Sequence, residues 1–362
     1  MMLAIELALS IFLITAAVLV VLLRDIIASI ATFAALSLGL AIVWMVLGAP
    51  DVALTEAAVG AGVMTVLLLI VAGKSQNHRV ESPHEAQRPF RKVNWIALSA
   101  VTLLLIPLIV IVRQFPPLGD ANAPSVVDIS LAGNPTPYWY YVGGSETPAT
   151  YENIVGAVLI VFRGLDTFGE LIVAFAALIG VLIILRHQLV PFHSQSGLDE
   201  ATRHRTNYHD KPQPGFSPVV TTAVRRVIPL VLVFGGYITL YGTAVPGGGF
   251  AGGVVLGAGF ILLGFSFGFE ALSRWIDHRV LGMVLLVGAA LFVGIIVGPL
   301  LLSGTLFEIS IIPLDPRVVG EAVELGIGLL VGSVITAIVT GMAIFSSTEA
   351  NLEDSNTTRE DA

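Results

Sequence analysis

The sequence predicts an all-α, polytopic membrane protein with about nine transmembrane helices. Two observations carry that prediction. Of 362 residues, 55% are hydrophobic and only 12% are charged, whereas a soluble domain carries about 25% charged residues. Uncharged stretches recur at 26–50, 93–112, 227–269, 280–307 and 325–348, and about 20 helical residues cross a hydrocarbon core of about 30 Å. The stretch 227–269 is long enough for two crossings. The chain has no cysteine, which removes disulfides, thiolate metal sites, iron–sulfur clusters and thiol nucleophiles.

Lipid offers the backbone no hydrogen-bond partners, so the spans are helices and internal Gly or Pro is no objection to them. They are expected near 3–23, 26–49, 51–72, 93–113, 153–185, 226–245, 248–269, 280–303 and 321–345. The first is read as a retained span, because it contains Glu6 and lacks both a basic leader and a small-residue cleavage site before Arg24. The fifth is too long for a simple crossing and carries Arg163, Asp166 and Glu170. It should therefore be broken, tilted or partly interfacial.

Basic residues set the expected orientation, since cytoplasmic loops are enriched in Lys and Arg. Loop 73–92 carries Lys74, Arg79, Arg88, Arg91 and Lys92, and loop 186–225 carries Arg186, Arg203, Arg205, Lys211 and Arg225. Both are expected inside. The segment 114–152 has neither Lys nor Arg but holds Asp120, Asp128, Glu146, Glu152 and the cluster Tyr138, Trp139, Tyr140, Tyr141, so it is expected outside. An odd number of spans then puts the N-terminus outside and the C-terminus in the cytoplasm, in a cell (inner) membrane. Arg317 is the exception, falling outside beside Asp315.

The linker 191–216 divides the chain into five spans and four. Its neighbourhood holds His187, His193, His204 and His209, whose spacing fits no compact chelating motif, so neither a metal nor a cofactor is expected. The acidic, polar segment 347–362 is expected to be disordered.

Ionisable groups within spans are costly, by about 2.5–3.5 kcal/mol on insertion scales, and are functional candidates by default. In Pro50-Asp51-Val52-Ala53-Leu54-Thr55-Glu56, proline opens a helix and Glu56 sits over a turn inside it. Gly60, four residues on, leaves space beside the carboxyl on the same face. No Lys, Arg or His lies within four residues of Glu56, which makes it the expected proton or cation relay, the alternative being a capping or subunit-pairing acid. Arg163, Asp166 and Glu170, at steps of three and four, share one helical face and form either a titrating set or a structural ion pair. Glu321 and Glu324 are expected near the outer interface and dispensable. Gly249, Gly253 and Gly257, with Gly264 and Gly268, repeat at four-residue steps and are expected to let helices approach closely. A phosphate-binding reading of this glycine run fails for want of a following Lys-Ser/Thr and of a strand, and nothing suggests nucleic acid.

At these residues the sequence resembles a known family. PDVALTEAAVGAGVMTVLLLIV at 50–71 looks like the signature of the three-helix module near the C-terminal end of the large A subunit of Mrp-type antiporters, which is also the D subunit of membrane-bound hydrogenases. FRGLDTFGELIVAFAALIGVLIILR at 162–186 resembles the next module of that region, the hydrogenase E subunit. PGGGFAGGVVLGAGFILLGFSFG at 246–268 resembles the four-helix B subunit of Mrp antiporters. The resemblance implies modules at 1–75, 76–190 and 217–346, and a fusion of the tail of the large A subunit with the B subunit. It implies ion-translocation roles for Glu56, Arg163, Asp166 and Glu170, with Asp51 beside them, in a component of a Na+/H+ antiporter that works with antiporter-like large subunits and small helical ones. A membrane-arm component of a hydrogenase-type redox complex and a non-titrating scaffold are the alternatives. The fourteen-helix antiporter-like part of the large A subunit is absent from this sequence, so transport is expected to need partners.

Overall fold

The computed structural model describes residues 2–76, 95–117, 120, 122, 152–189, 218–305 and 311–360. Among these residues every regular element is helical, and nine helical segments are long and apolar enough to cross a membrane. The chain is an all-α, multi-pass membrane protein.

Helices α1 (Met2–Leu22) and α2 (Ile26–Val46) form a hairpin. Asp25 starts α2 by accepting from the backbone N–H of Ile27 and of Ala28, two of the amide groups a helix start leaves without partners. The third span is a single rod in three pieces: α3 (Pro50–Glu56), the π-helical π1 (Ala57–Met64) and α4 (Thr65–Gln76). Pro50 occupies the first turn, where its missing N–H costs nothing. Helix α5 (Trp95–Val112) has no buried residue. Of the three outcomes its length and charge leave open, the fifth span shows a break: α6 (Ile154–Ala157) and π2 (Val158–Phe162) end at Arg163, and α7 (Gly164–Leu189) resumes beyond it. The Thr167 hydroxyl donates to Leu159 O at 2.8 Å and ties the two sides of the break together.

The second group comprises α8 (Pro218–Leu240), α9 (Gly248–Phe267), the short α10 (Phe269–Trp275), α11 (His278–Ser303) and α12 (Pro316–Glu360). Helix α12 is the hub, packing on α7, α8, α9 and α11. Its stripe Val319, Val323, Ile327, Leu330, Val331 and Val334 is buried, and the same core takes in Val63, Ile160, Leu171 and Leu178 from the first group. Phe168 of α7 stacks on Phe292 of α11 with ring centroids 6.3 Å apart. The five spans and the four therefore share one core across the linker. In lipid this association rests on close van der Waals contact and interhelical hydrogen bonds, because the tails are as apolar as the side chains.

The boundaries of α8 and α12 differ from the sequence expectation by more than a turn. Helix α12 begins at Pro316 rather than near 321 and continues to Glu360, where a disordered tail is expected. No Gly or Pro follows Gly341, so nothing ends the helix, and Ala350, Leu352 and the glutamates beyond Ser347 are helix formers. Helix α8 likewise starts at Pro218, about two turns early. The segments 77–94, 123–151 and 190–217, which carry most of the loop basic residues, the aromatic cluster and His193, His204 and His209, lie outside the described residues.

Candidate functional site

The starts of α3, α6, α9 and α12 and the end of α8 meet at one end of the bundle, as alternating crossings require. Asn153 joins them. It is 8% exposed and caps α6, its side-chain oxygen accepting from Val155 N at 3.0 Å and Gly156 N at 3.4 Å. Its amide nitrogen donates to Asp51 Oδ1 at 2.9 Å, Val245 O at 3.0 Å and Gly242 O at 3.3 Å. Its backbone N–H donates to Thr243 O at 2.9 Å. One residue thus satisfies three carbonyls of the turn between α8 and α9 and a carboxylate of the first group.

Asp51 Oδ1 also accepts from Gly247 N at 2.8 Å. That turn runs through Gly247 at φ +113° and Gly248 at φ +59°, a left-handed path that glycine follows cheaply. Two residues further, Gly249 N donates a short hydrogen bond to Glu324 Oε2. Glu324 is 4% exposed. Its carboxyl lies in a cage of glycines: a β-carbon on Gly248 would stand 2.9 Å from both carboxylate oxygens, one on Gly242 2.9 Å from Cδ, and one on Gly156 3.5 Å from Oε1. Among the described residues neither Asp51 nor Glu324 pairs with a cation. The described ion pair at this end, Arg317 with Glu152 at 3.4 Å, is exposed.

The expectation of a place near the outer interface is silent on what encloses Glu324, and the structure encloses it within the bundle. It lies more than two turns into α12, on the buried face set by Val323 and Ile327, while Glu321 is only half-buried. Asn153 is absent from the sequence reading altogether. Its position one residue ahead of a helix is the signal that could have marked it as a cap, but its reach to the α8–α9 turn depends on a contact 89 residues away in sequence.

The other candidates separate. Glu56 is partly buried at the junction of α3 with π1. A β-carbon on Gly60 would stand 2.7 Å from its Oε1 and would collide with the Ser37 hydroxyl of α2, so Gly60 does leave room for this carboxyl. Arg163 and Asp166 pair across three residues, Nε to Oδ2 at 2.6 Å, with side chains 58% and 51% exposed. Glu170 is exposed and forms no ion pair among the described residues. The three do not close into one cluster, and Arg163 sits at the break rather than on α7.

Gly249, Gly253 and Gly257 do face α12. A β-carbon on Gly253 would stand 2.7 Å from Gly328 O, one on Gly257 2.9 Å from Ile335, and one on Gly249 would fall on the Glu324 backbone carbonyl. The extension of this face to Gly264 and Gly268 is corrected. Gly264 packs under the Phe269 ring, and Gly268, at φ +91°, ends α9 with open space around it. A four-residue step cannot distinguish a packing glycine from a terminating one.

With this geometry in place, the family relations are clear. Residues 11–77 match the MbhD family model, the D subunit of MBH, and residues 219–345 match the domain related to the MnhB subunit of Na+/H+ antiporter. One chain thus carries a segment similar to each of two families. The chain is 26% identical over 254 residues to the A/B subunit of a probable K(+)/H(+) antiporter of Rhizobium meliloti, covering 66% of this chain and 23% of that protein. It is 37% identical over 68 residues to the putative antiporter subunit mnhB2 of Staphylococcus aureus, covering 18% of this chain and 48% of that protein. Its fold is similar to that of a chain in the Mrp complex from Dietzia sp. DQ12-45-1b, with a TM-score of 0.64 at 20% identity over 93% of this chain and 34% of that one. The chain thus spans about a quarter and about half of the length of these two curated relatives. Neither matched domain includes α6 or α7.

Proposed function

We propose that the chain is a membrane subunit of a multisubunit monovalent cation/proton antiporter, a secondary transporter component rather than an enzyme, contributing to ion passage and to assembly. The observation that supports this most is the union of an MbhD domain and an MnhB-related domain in one chain, aligned over 254 residues with a relative named as the A/B subunit of a K(+)/H(+) antiporter. Its partners are then antiporter-like large subunits and small helical subunits, and its ions are H+ with Na+ or K+. Glu56, Asp51, Asp166, Glu170 and Arg163 are the proposed translocation groups, with Glu56 foremost because it has space beside it and no ion-pair partner among the described residues.

The test is antiport in everted vesicles from a host lacking its own antiporters. The complete subunit set should exchange cations for protons, while the set without this chain, or this chain alone, should not. Glu56→Gln in the complete set should abolish most of the exchange and Glu56→Asp should retain part of it. Exchange by the chain alone, or wild-type exchange by Glu56→Gln across pH, would refute the respective statements. The match to the D subunit of MBH supports a second reading, a hydrogenase-type membrane arm; co-purification with redox subunits, and ion movement that needs a reductant, would establish that one instead.

The loop charges support an N-terminus outside and a C-terminus in the cytoplasm. In this Cys-free chain, cysteines introduced at Ser125 and Ser196 are expected to react with an impermeant maleimide from outside and inside respectively. The opposite pattern would invert the topology.

A further inference from the structure

We propose that Glu324 is a proton-exchanging carboxyl of the membrane domain, working with Asp51 across the α8–α9 turn. This deepens the antiporter reading and rests on it for its role in transport, though not for the titration itself.

Three observations converge on this residue. The side chain is 4% exposed inside a glycine cage, and no Lys, Arg or His of the described residues pairs with it. A buried carboxylate lacking a cation costs several kcal/mol unless it takes up a proton or gains a partner. Secondly, the cage serves both protonation states. Gly249 N–H, among the first unpaired amides of α9, and the positive end of that helix meet Oε2 of the anion, while Oε1 accepts no hydrogen bond among the described residues and is the oxygen open to a proton. Thirdly, a second acid is anchored on the same turn. Asp51 is half-buried, and it reaches the same turn through Gly247 N, two residues from the amide that holds Glu324.

The titratable groups facing this carboxyl are few. Among the described residues Asp51 approaches from α3, Asn153, backbone groups and glycines come from the starts of α6 and α9 and the end of α8, and the exposed Arg317–Glu152 pair lies at the same end. Glu321 is the nearest acid on α12 itself. Uptake adds one proton to Oε1, because Oε2 already accepts from Gly249, and release restores the carboxylate held by that amide. The competing view is that Glu324 merely caps α9. Glutamine would perform that task equally well, since its amide oxygen can accept from Gly249.

The deciding experiment is a pH-difference infrared titration of the full chain in lipid nanodiscs. One component of the carbonyl stretch of protonated carboxylic acids should titrate in the wild type, be missing from the difference spectrum of Glu324→Gln, persist in that of Glu321→Gln and titrate at a different pH in Asp51→Asn. Survival of that component unchanged in Glu324→Gln overturns the proposal. Should Glu324→Gln fail to insert, a hydrophobic carbodiimide, which attacks protonated carboxyls, decides on the wild type. Mass mapping should place the adduct on Glu324 with a yield that falls as pH rises; no adduct there at any pH overturns the proposal equally. In the complete subunit set, Glu324→Gln should lose exchange while Glu324→Asp keeps part of it, and undiminished exchange by Glu324→Gln overturns its role in transport. Because the first two readouts require no transport, a failure of the antiporter reading remains separable from a failure of this one.

Discussion

Asn153→Ala is expected to detach the first group of helices from the second at the junction. The substitution removes the amide group whose two hydrogens serve Asp51, Gly242 O and Val245 O, and with it the cap of α6. It leaves Gly242 O and Val245 O without this donor in a region with little water. Interhelical bonds in membranes average about 0.6 kcal/mol and a lost N-cap about 1 kcal/mol, so the total is about 3 kcal/mol. A markedly lower thermal midpoint of the purified chain, read by fluorescence-detected size exclusion, checks this. Asn153→Asp separates the two roles of the residue. Aspartate caps a helix as well as asparagine does, but it cannot donate to Asp51 and sets a second carboxylate beside it. It should be at least as damaging as alanine, and a wild-type midpoint would show that the cap alone matters.

Gly253→Leu is expected to prevent α9 from seating on α12 and so to abolish assembly into any larger complex. Even the β-carbon of Gly253→Ala meets Gly328 O at 2.7 Å and Gly328 Cα at 3.0 Å, backbone atoms that cannot swing aside as a side-chain end can. Overpacking of this kind costs about 1–3 kcal/mol, and leucine must part the two helices further. Gly282→Ala on α11 is the matched control, for nothing lies within 4 Å of its added carbon. The thermal midpoint should fall in the order wild type, Gly253→Ala, Gly253→Leu, with Gly282→Ala at the wild-type value. A normal yield of intact Gly253→Leu would mean that this face does not govern packing.

The contrast between Gly253 and Gly268 shows what spacing conveys. Both belong to four-residue glycine repeats, yet one touches the backbone of α12 while the other adopts φ +91° and ends its helix. Similarly, Gly60 reveals itself from sequence, because its partner Glu56 is four residues away on the same rod. Gly242 and Gly156 do not, because the carboxyl they enclose belongs to α12. The acids followed the same rule. Arg163 and Asp166 are legible as a local pair, whereas the burial of Glu324 is not, since an acid two turns into a span looks alike whether the neighbouring helix shields it or lipid headgroups do.

The sequence by itself determined the spans, because the cost of exposing backbone and charge to hydrocarbon is paid residue by residue. Apolar length therefore fixes which segments cross, and the excess length and charge of 153–185 mark a span that is broken, tilted or partly interfacial, whereas the structure puts a break at Arg163. Tertiary structure alone decided that α12 is the hub, that the two groups share one core, and that Asp51, Asn153 and Glu324 meet around the α8–α9 turn. Helix association in lipid depends on which small residues face which backbone, a property of two surfaces at once, and no single stretch of chain records its partner.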